Sequence, residues 1–132
     1  MSKFTKMEIP VFLPFGQNTP ADMIILVNNS LKKIQVKTTK SIKNGTMQFE
    51  LCRTNGFTFE KYPYDKNDTD YFFLYCIQND KSYFISIDEV NNRKSINLRL
   101  EDTKSNQKKG IKMAEHYDFD KMFNEYFFQK VA

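Results

Sequence analysis

No apolar run in this chain approaches the length of a membrane-spanning helix. The longest, Tyr71 to Ile77, falls far short of the roughly 18 residues such a span needs. The opening Met-Ser-Lys-Phe-Thr-Lys has neither the apolar stretch nor the small-residue cleavage site of a secretory signal. Cysteine is scarce. Cys52 and Cys76 both sit in alternating apolar runs, which reads as buried thiols in a reducing cytoplasm, not as a disulfide framework. Those two cysteines with the single histidine, His116, fall short of the four-ligand set of a structural zinc site. A Ser-His-Asp or Cys-His enzyme would have to use His116 as its base. Its neighbours Glu115, Tyr117 and Asp118 look instead like the approach to a helix, with His116 a surface or capping residue. Tryptophan is absent, so the aromatic share of a core falls to 13 Phe and 7 Tyr.

The 132 residues suit one compact domain, spanning 1–132. At 40% hydrophobic and 27% charged the composition is globular, not disordered. A formal net charge of +4 permits a nucleic-acid partner without requiring one.

Apolar residues alternate with a period of two through the first hundred positions, which predicts strands. They fall at Ile9–Leu13, Ala21–Val27, Leu31–Thr38, Thr46–Cys52, Phe57–Tyr62, Tyr71–Gln78, Ser82–Ile87 and Ser95–Leu100. Pro14 to Pro20 is rich in turn residues. Asn28-Asn29-Ser30, Asn44-Gly45 and Asn79-Asp80-Lys81 carry hairpin-turn chemistry. The period then changes. Phe119, Met122, Phe123, Tyr126 and Phe127 form one stripe of an amphipathic helix, with Asp118 placed to cap it and the stripe facing the core. The polar, lysine-bearing stretch from Glu101 to Lys112 reads as a loop.

The informative segment is Pro14 to Lys37. Gln35 and Lys37 project from the same face of their strand, and Ile34 and Val36 from the other. If the hairpin pairs as its turn suggests, Asp22 lies beside the end of the partner strand, so a carboxylate, an amide and an ammonium converge at one sheet edge. Taken singly, these are a common hairpin acid and a common exposed lysine.

As an ordered set the chain resembles the PD-(D/E)XK nucleases, and within them the branch that includes intron-encoded homing endonucleases, where Gln replaces the second acid. The resemblance rests on Leu13-Pro14-Phe15-Gly16-Gln17-Asn18 leading to Asp22, then Ile34-Gln35-Val36-Lys37-Thr38. Further on come Asp70-Tyr71-Phe72 with Tyr83-Phe84-Ile85, and Leu98-Arg99-Leu100 followed by Asn106-Gln107. It implies a restriction-endonuclease-like α/β fold: a mixed, twisted, strand-rich sheet with a C-terminal amphipathic helix. It implies Asp22, Gln35 and Lys37 as catalytic positions, with Mg²⁺ held by the Asp22 carboxylate and the Val36 carbonyl. These nucleases usually begin with a helix whose Glu completes the metal site. The eight residues ahead of Ile9 leave no room for it, Glu8 is the nearby acid, and Asp22 would be the only protein charge on the metal. Cleavage is therefore expected to be impaired or lost, unless an oligomeric partner supplies a carboxylate such as Glu50 or Glu60.

From Met23 to Phe49 there is no acid, and Lys32, Lys33, Lys37, Lys40 and Lys43 all fall in that stretch. This fits phosphate contacts to DNA, and equally a solvated strand edge guarded by lysines. Two functions from different classes stay open. One is a nucleic-acid-binding protein of the homing-endonuclease type, with DNA as partner. The other is a catalytically inert nuclease-fold inhibitor from a phage or mobile element, binding a defence nuclease or a CRISPR ribonucleoprotein.

Overall fold

The computed structural model describes residues 2–15, 21–101 and 111–128. The turn expected from Pro14 to Pro20 falls partly outside them, as does most of the polar loop. So do Gly16, Gln17, Asn18, Asn106 and Gln107.

The centre is a five-stranded sheet in the order β1-β2-β3-β7-β8. Its strands are β1 (Val11–Phe12), β2 (Met23–Val27), β3 (Ser30–Thr39), β7 (Tyr71–Cys76) and β8 (Lys81–Ser86). Asn28 and Asn29 both take left-handed torsions, the requirement of a tight hairpin turn. They fold β2 back on β3 from Val27↔Ser30 to Met23↔Ile34. The other edge of β3 pairs in parallel with β7, Ile34↔Tyr71 through Thr39↔Cys76, and β8 closes antiparallel on β7 around Asp80.

The β3–β7 crossover carries β4 (Thr46–Glu50) and a short ribbon, β5 (Cys52–Thr54) with β6 (Lys61–Pro63). Asn44-Gly45 does turn the chain, but β4 does not return along β3. Only Lys43↔Thr46 bridges the turn, and β4 pairs instead with β9 (Ser95–Arg99) in a second sheet completed by β10 (Lys112–Met113). The reason is apolar. Met47 and Phe49 on β4, with Ile96 and Leu98 on β9, share one inward face that packs against Phe72, Leu74 and Ile85 of the central sheet.

The opposite face of the central sheet is covered by α3 (Phe119–Phe127), preceded by a 3-10 turn, Ala114–Tyr117. Asp118 caps α3 by accepting from the Lys121 N–H at 3.3 Å. Phe119, Met122 and Phe123 are buried against Ile34, Phe73 and Phe84, as the helical stripe requires. His116 is exposed in the 3-10 turn beside Glu115.

Four expectations are corrected. A helix does precede β1: α1 (Ser2–Lys6). Five residues make no stable helix alone, and this one is held because Phe4 is fully buried among Phe73, Phe119 and Phe123. It carries lysines and no acid. The strand expected over Ile9–Leu13 contracts to Val11–Phe12. Phe57–Tyr62 is not a strand. Asn55 Oδ1 accepts from the Phe57 and Thr58 N–H groups, making a turn that leaves Phe57 and Phe59 in solvent, and pairing begins only at Lys61. The run expected to continue to Ile87 ends one residue earlier, where Ser86 caps a short helix, α2 (Ile87–Val90). Among the described residues no helix is long and apolar enough to cross a membrane.

Candidate nuclease site

Asp22 stands immediately before β2, beside β3. Its backbone N–H donates to the Ile34 carbonyl at 2.9 Å, which continues the β2–β3 ladder by one step. The next rung is made by the side chain: Asp22 Oδ2 accepts from the Val36 N–H at 2.9 Å. The same oxygen accepts from Gln35 Nε2, also at 2.9 Å. Gln35 is buried, with 8% of its surface exposed, and a buried amide needs a partner; Asp22 is that partner. The fold thus brings Asp22, Gln35 and the Val36 backbone to one point at the open end of the β2–β3 hairpin, inside the sheet and not at its edge.

Lys37 shares the strand face of Gln35. Its Nζ lies 5.0 Å from the centroid of the Tyr64 ring, in cation–π range. It also approaches Glu50. The Glu50 carboxyl is held below the ordinary carboxylate range by the Cys52 thiol, which donates to it at 3.0 Å, then by Lys61 at 2.9 Å, and to a smaller extent by Lys37. Burial, reinforced by Glu50, pushes the Cys52 thiol up, so it stays protonated as the donor in that bond.

The pleat divides the remaining lysines. Lys32 lies on the helix-covered face of β3 opposite Ile25, and Lys33 on the other face. Lys33 is tied down: its N–H donates to Asp70 Oδ2 at 2.8 Å and its ammonium to the Asn67 carbonyl at 2.6 Å. Lys40 and Lys43 lie beyond the end of β3, both exposed. Lys43 borders a cleft of about 470 Å³ with Thr39, Ser41, Asn44, Thr46, Gln48, Asn97 and Arg99, two cations and no acid.

The donor set at Asp22 is thin for a hard dication. One carboxylate oxygen already takes two N–H groups, Gln35 turns its donor end toward it, and the remaining contributors are neutral oxygens. Among the described residues no three His, Cys, Asp or Glu side chains cluster as a metal site. Glu8, two residues past the end of α1, is exposed with left-handed torsions, and among the described residues no side-chain bond joins it to Asp22. The described residues around Asp22 do not amount to a Mg²⁺ site, since affinity for such ions rests on charged oxygen ligands.

Sequence reasoning gave no role to Gln48, Asn97 and Arg99, which line the polar cleft. The signal was legible: Thr46-Met47-Gln48-Phe49-Glu50 and Ser95-Ile96-Asn97-Leu98-Arg99 both alternate polar with apolar, so each strand has one wet face.

A mixed sheet with α1 and α3 on one face and a small second sheet with α2 on the other, presenting Asp22 and Gln-x-Lys beside one another, is a restriction-endonuclease-like fold. The sequence pattern of the PD-(D/E)XK endonucleases matches residues 1–120, and the chain belongs to that family. Its structure is similar to that of I-Ssp6803I, a bacterial homing endonuclease, with a TM-score of 0.65 and 24% sequence identity over 98% of this chain and 90% of the other. No curated protein matches the chain.

Proposed function

We propose that this chain is a duplex-DNA-binding member of the PD-(D/E)XK family in which phosphodiester cleavage is impaired or lost. The thin donor set at Asp22 carries the reading: Gln35, the residue this branch has in place of the second acid, turns its Nε2 donor toward Asp22 Oδ2, and among the described residues no further acid joins the pair. Lys37, the residue that would orient the attacking water or steady developing charge, rests on Tyr64. Asp22, Gln35 and Val36 then serve as structure: they complete the β2–β3 ladder at a buried amide.

DNA binding is supported by the acid-free stretch of lysines, by the polar cleft beyond β3, and by family membership. The test pairs two assays on purified protein. Fluorescence anisotropy with labelled duplex reads binding, and plasmid nicking with Mg²⁺ or Mn²⁺ reads cleavage. Salt-sensitive binding with no cleavage in Mg²⁺ and marginal cleavage in Mn²⁺ is the expected result. Robust nicking abolished by Asp22→Ala would show that another group, such as Glu8 or a second subunit's carboxylate, completes the site.

One observation favours the rival, an inert nuclease-fold inhibitor that binds a protein or ribonucleoprotein. Phe57 and Phe59 stand 94% and 78% exposed at the end of the β5–β6 ribbon, apolar area of the sort protein interfaces cover. Absence of duplex binding at low salt would turn the reading to that class.

A further inference from the structure

The outer face of the β4–β9 pair is polar along both strands, with Met113 of β10 beside Arg99 at one end. Along β4 it presents Thr46, Gln48 and Glu50; along β9, Ser95, Asn97 and Arg99. The register sets these directly opposite one another: Thr46↔Arg99, Gln48↔Asn97 and Glu50↔Ser95. The inner residues Met47, Phe49, Ile96 and Leu98 are almost wholly buried, so this face cannot turn inward without exposing the core. β10 adds only two residues beside β9, which leaves β4 and β9 as a two-stranded ribbon over most of their length.

The chemistry of the face is specific. Gln48 and Asn97 are exposed, and neither side-chain amide makes a hydrogen bond among the described residues. Arg99 is held in place by bonds from Nη1 to Thr46 Oγ1 at 3.0 Å and from Nε to the Glu101 carbonyl at 3.1 Å. A flexible guanidinium is thereby fixed at one end of a row of unsatisfied amides. Cations flank the row. Lys43 and Arg99 border the cleft on one side of Gln48, and Lys61 and Lys94 border a second cleft on its other side. Of the six residues that β4 and β9 present on this face, Glu50 alone is a carboxylate and it is paired with Lys61; Glu101, just past β9, lies beside Gly45.

We infer that the outer face of the β4–β9 ribbon reads base edges in the major groove of duplex DNA, through Gln48, Asn97 and Arg99. A two-stranded ribbon fits a major groove about 12 Å wide. Paired amides match the donor–acceptor edge of adenine, and a fixed guanidinium matches the two acceptors of guanine. Neighbours on one face of a strand lie about 7 Å apart, close to two base-pair steps, so the row spans a few contiguous base pairs. Lys43 and Lys94 lie where they contact phosphates on either side. The inference rests on the DNA reading above and adds to it which residues give sequence preference.

The test is selection from a randomised duplex library, using full-length protein. Wild type is compared with Gln48→Ala/Asn97→Ala, with Arg99→Ala, and with Lys43→Ala/Lys94→Ala. Circular dichroism and thermal melting confirm that each is folded, and the exposed amide pair serves where Arg99→Ala loses structure. Wild type is expected to enrich a motif. The amide variant loses discrimination about 10- to 100-fold at a few adjacent positions while non-specific binding at low salt stays within severalfold. The lysine variant keeps the motif and weakens binding to all sequences alike. A wild-type protein that binds duplex without a motif overturns the inference, as does an amide variant and an Arg99 variant that enrich the wild-type motif undiminished; both leave DNA binding itself intact. No duplex binding at any salt overturns the DNA reading and the inference with it.

Discussion

Gln35 donates its side-chain amide to Oδ2 of Asp22 at 2.9 Å, in the place where a second acid would set a like charge against the first. That one bond gives the buried Gln35 amide its partner. Its role is testable by restoring the acid.

Gln35→Glu places two carboxylates side by side in a partly buried position, removing a hydrogen bond to a charged group and adding repulsion. Without metal the variant is expected to lose about 1–3 kcal/mol of stability at neutral pH. Added Mg²⁺ should then raise its melting temperature, because a cation bound only by the folded state stabilises it, and should leave wild type unmoved. Equal response of the two proteins to Mg²⁺ in a thermal melt would refute this account of Gln35.

Asp22 accepts from both Val36 N–H and Gln35 Nε2, so its loss strands two donors. Asp22→Ala is expected to cost about 1–3 kcal/mol in denaturant unfolding. Asp22→Asn keeps an acceptor oxygen at the same place and should cost less. Identical losses for the two would mean that the charge, not the ladder bond, matters.

Binding to duplex DNA is expected to weaken steeply with salt. Lys40→Ala/Lys43→Ala should flatten the log–log dependence by about 0.9 for each phosphate contact removed, so by roughly 2 for the pair. Lys33→Ala should act differently. Its ammonium ties β3 to the Asn67 carbonyl, so the change is expected in stability first. Anisotropy titrations across a salt series, run beside thermal melts, separate the two effects.

Tyr126 ties α3 to β8, its hydroxyl accepting from the Ser86 N–H at 3.3 Å. Burial, with Glu89 adding to it, pushes its phenol from the ordinary 10 up to about 12. The folded state therefore keeps a proton that the unfolded chain releases near 10. Stability from this residue is complete below pH 10 and is lost as pH rises through 10 toward 12. Tyr126→Phe should shift alkaline unfolding to higher pH, and the phenolate absorbance of the variant should show one fewer late-titrating tyrosine than that of wild type.

Local chemistry in the sequence was easier to read than partnership between distant strands. The left-handed asparagines 28, 29 and 44 marked turns because their short side chains tolerate those torsions, and the Phe/Met stripe over 119–127 marked α3 because its spacing fits a helix. The parallel pairing of β3 with β7 left no local trace, since Gln35 and Phe72 are joined by topology alone. The alternation at Phe57, Phe59 and Tyr62 misled for a related reason. A strand needs a partner along its whole length, and the Asn55 turn claims the first half. At the site, Asp22 and Gln35 could be brought together from the hairpin register. The direction of Lys37 could not, because Tyr64 arrives from a different ribbon.

The chain has four glycines, yet five of its left-handed residues are asparagines, at 28, 29, 44, 91 and 92. Glycine would accept those torsions without strain, and it would also open many more conformations to the unfolded chain. With asparagine the bends are narrowed before folding begins, so each hairpin gives up little disorder when it closes. The cost in ordering is left to the long crossover through residues 40–70, which must be gathered before β7 can lie along β3. Folding of this protein should accordingly be paced by that closure, not by its turns.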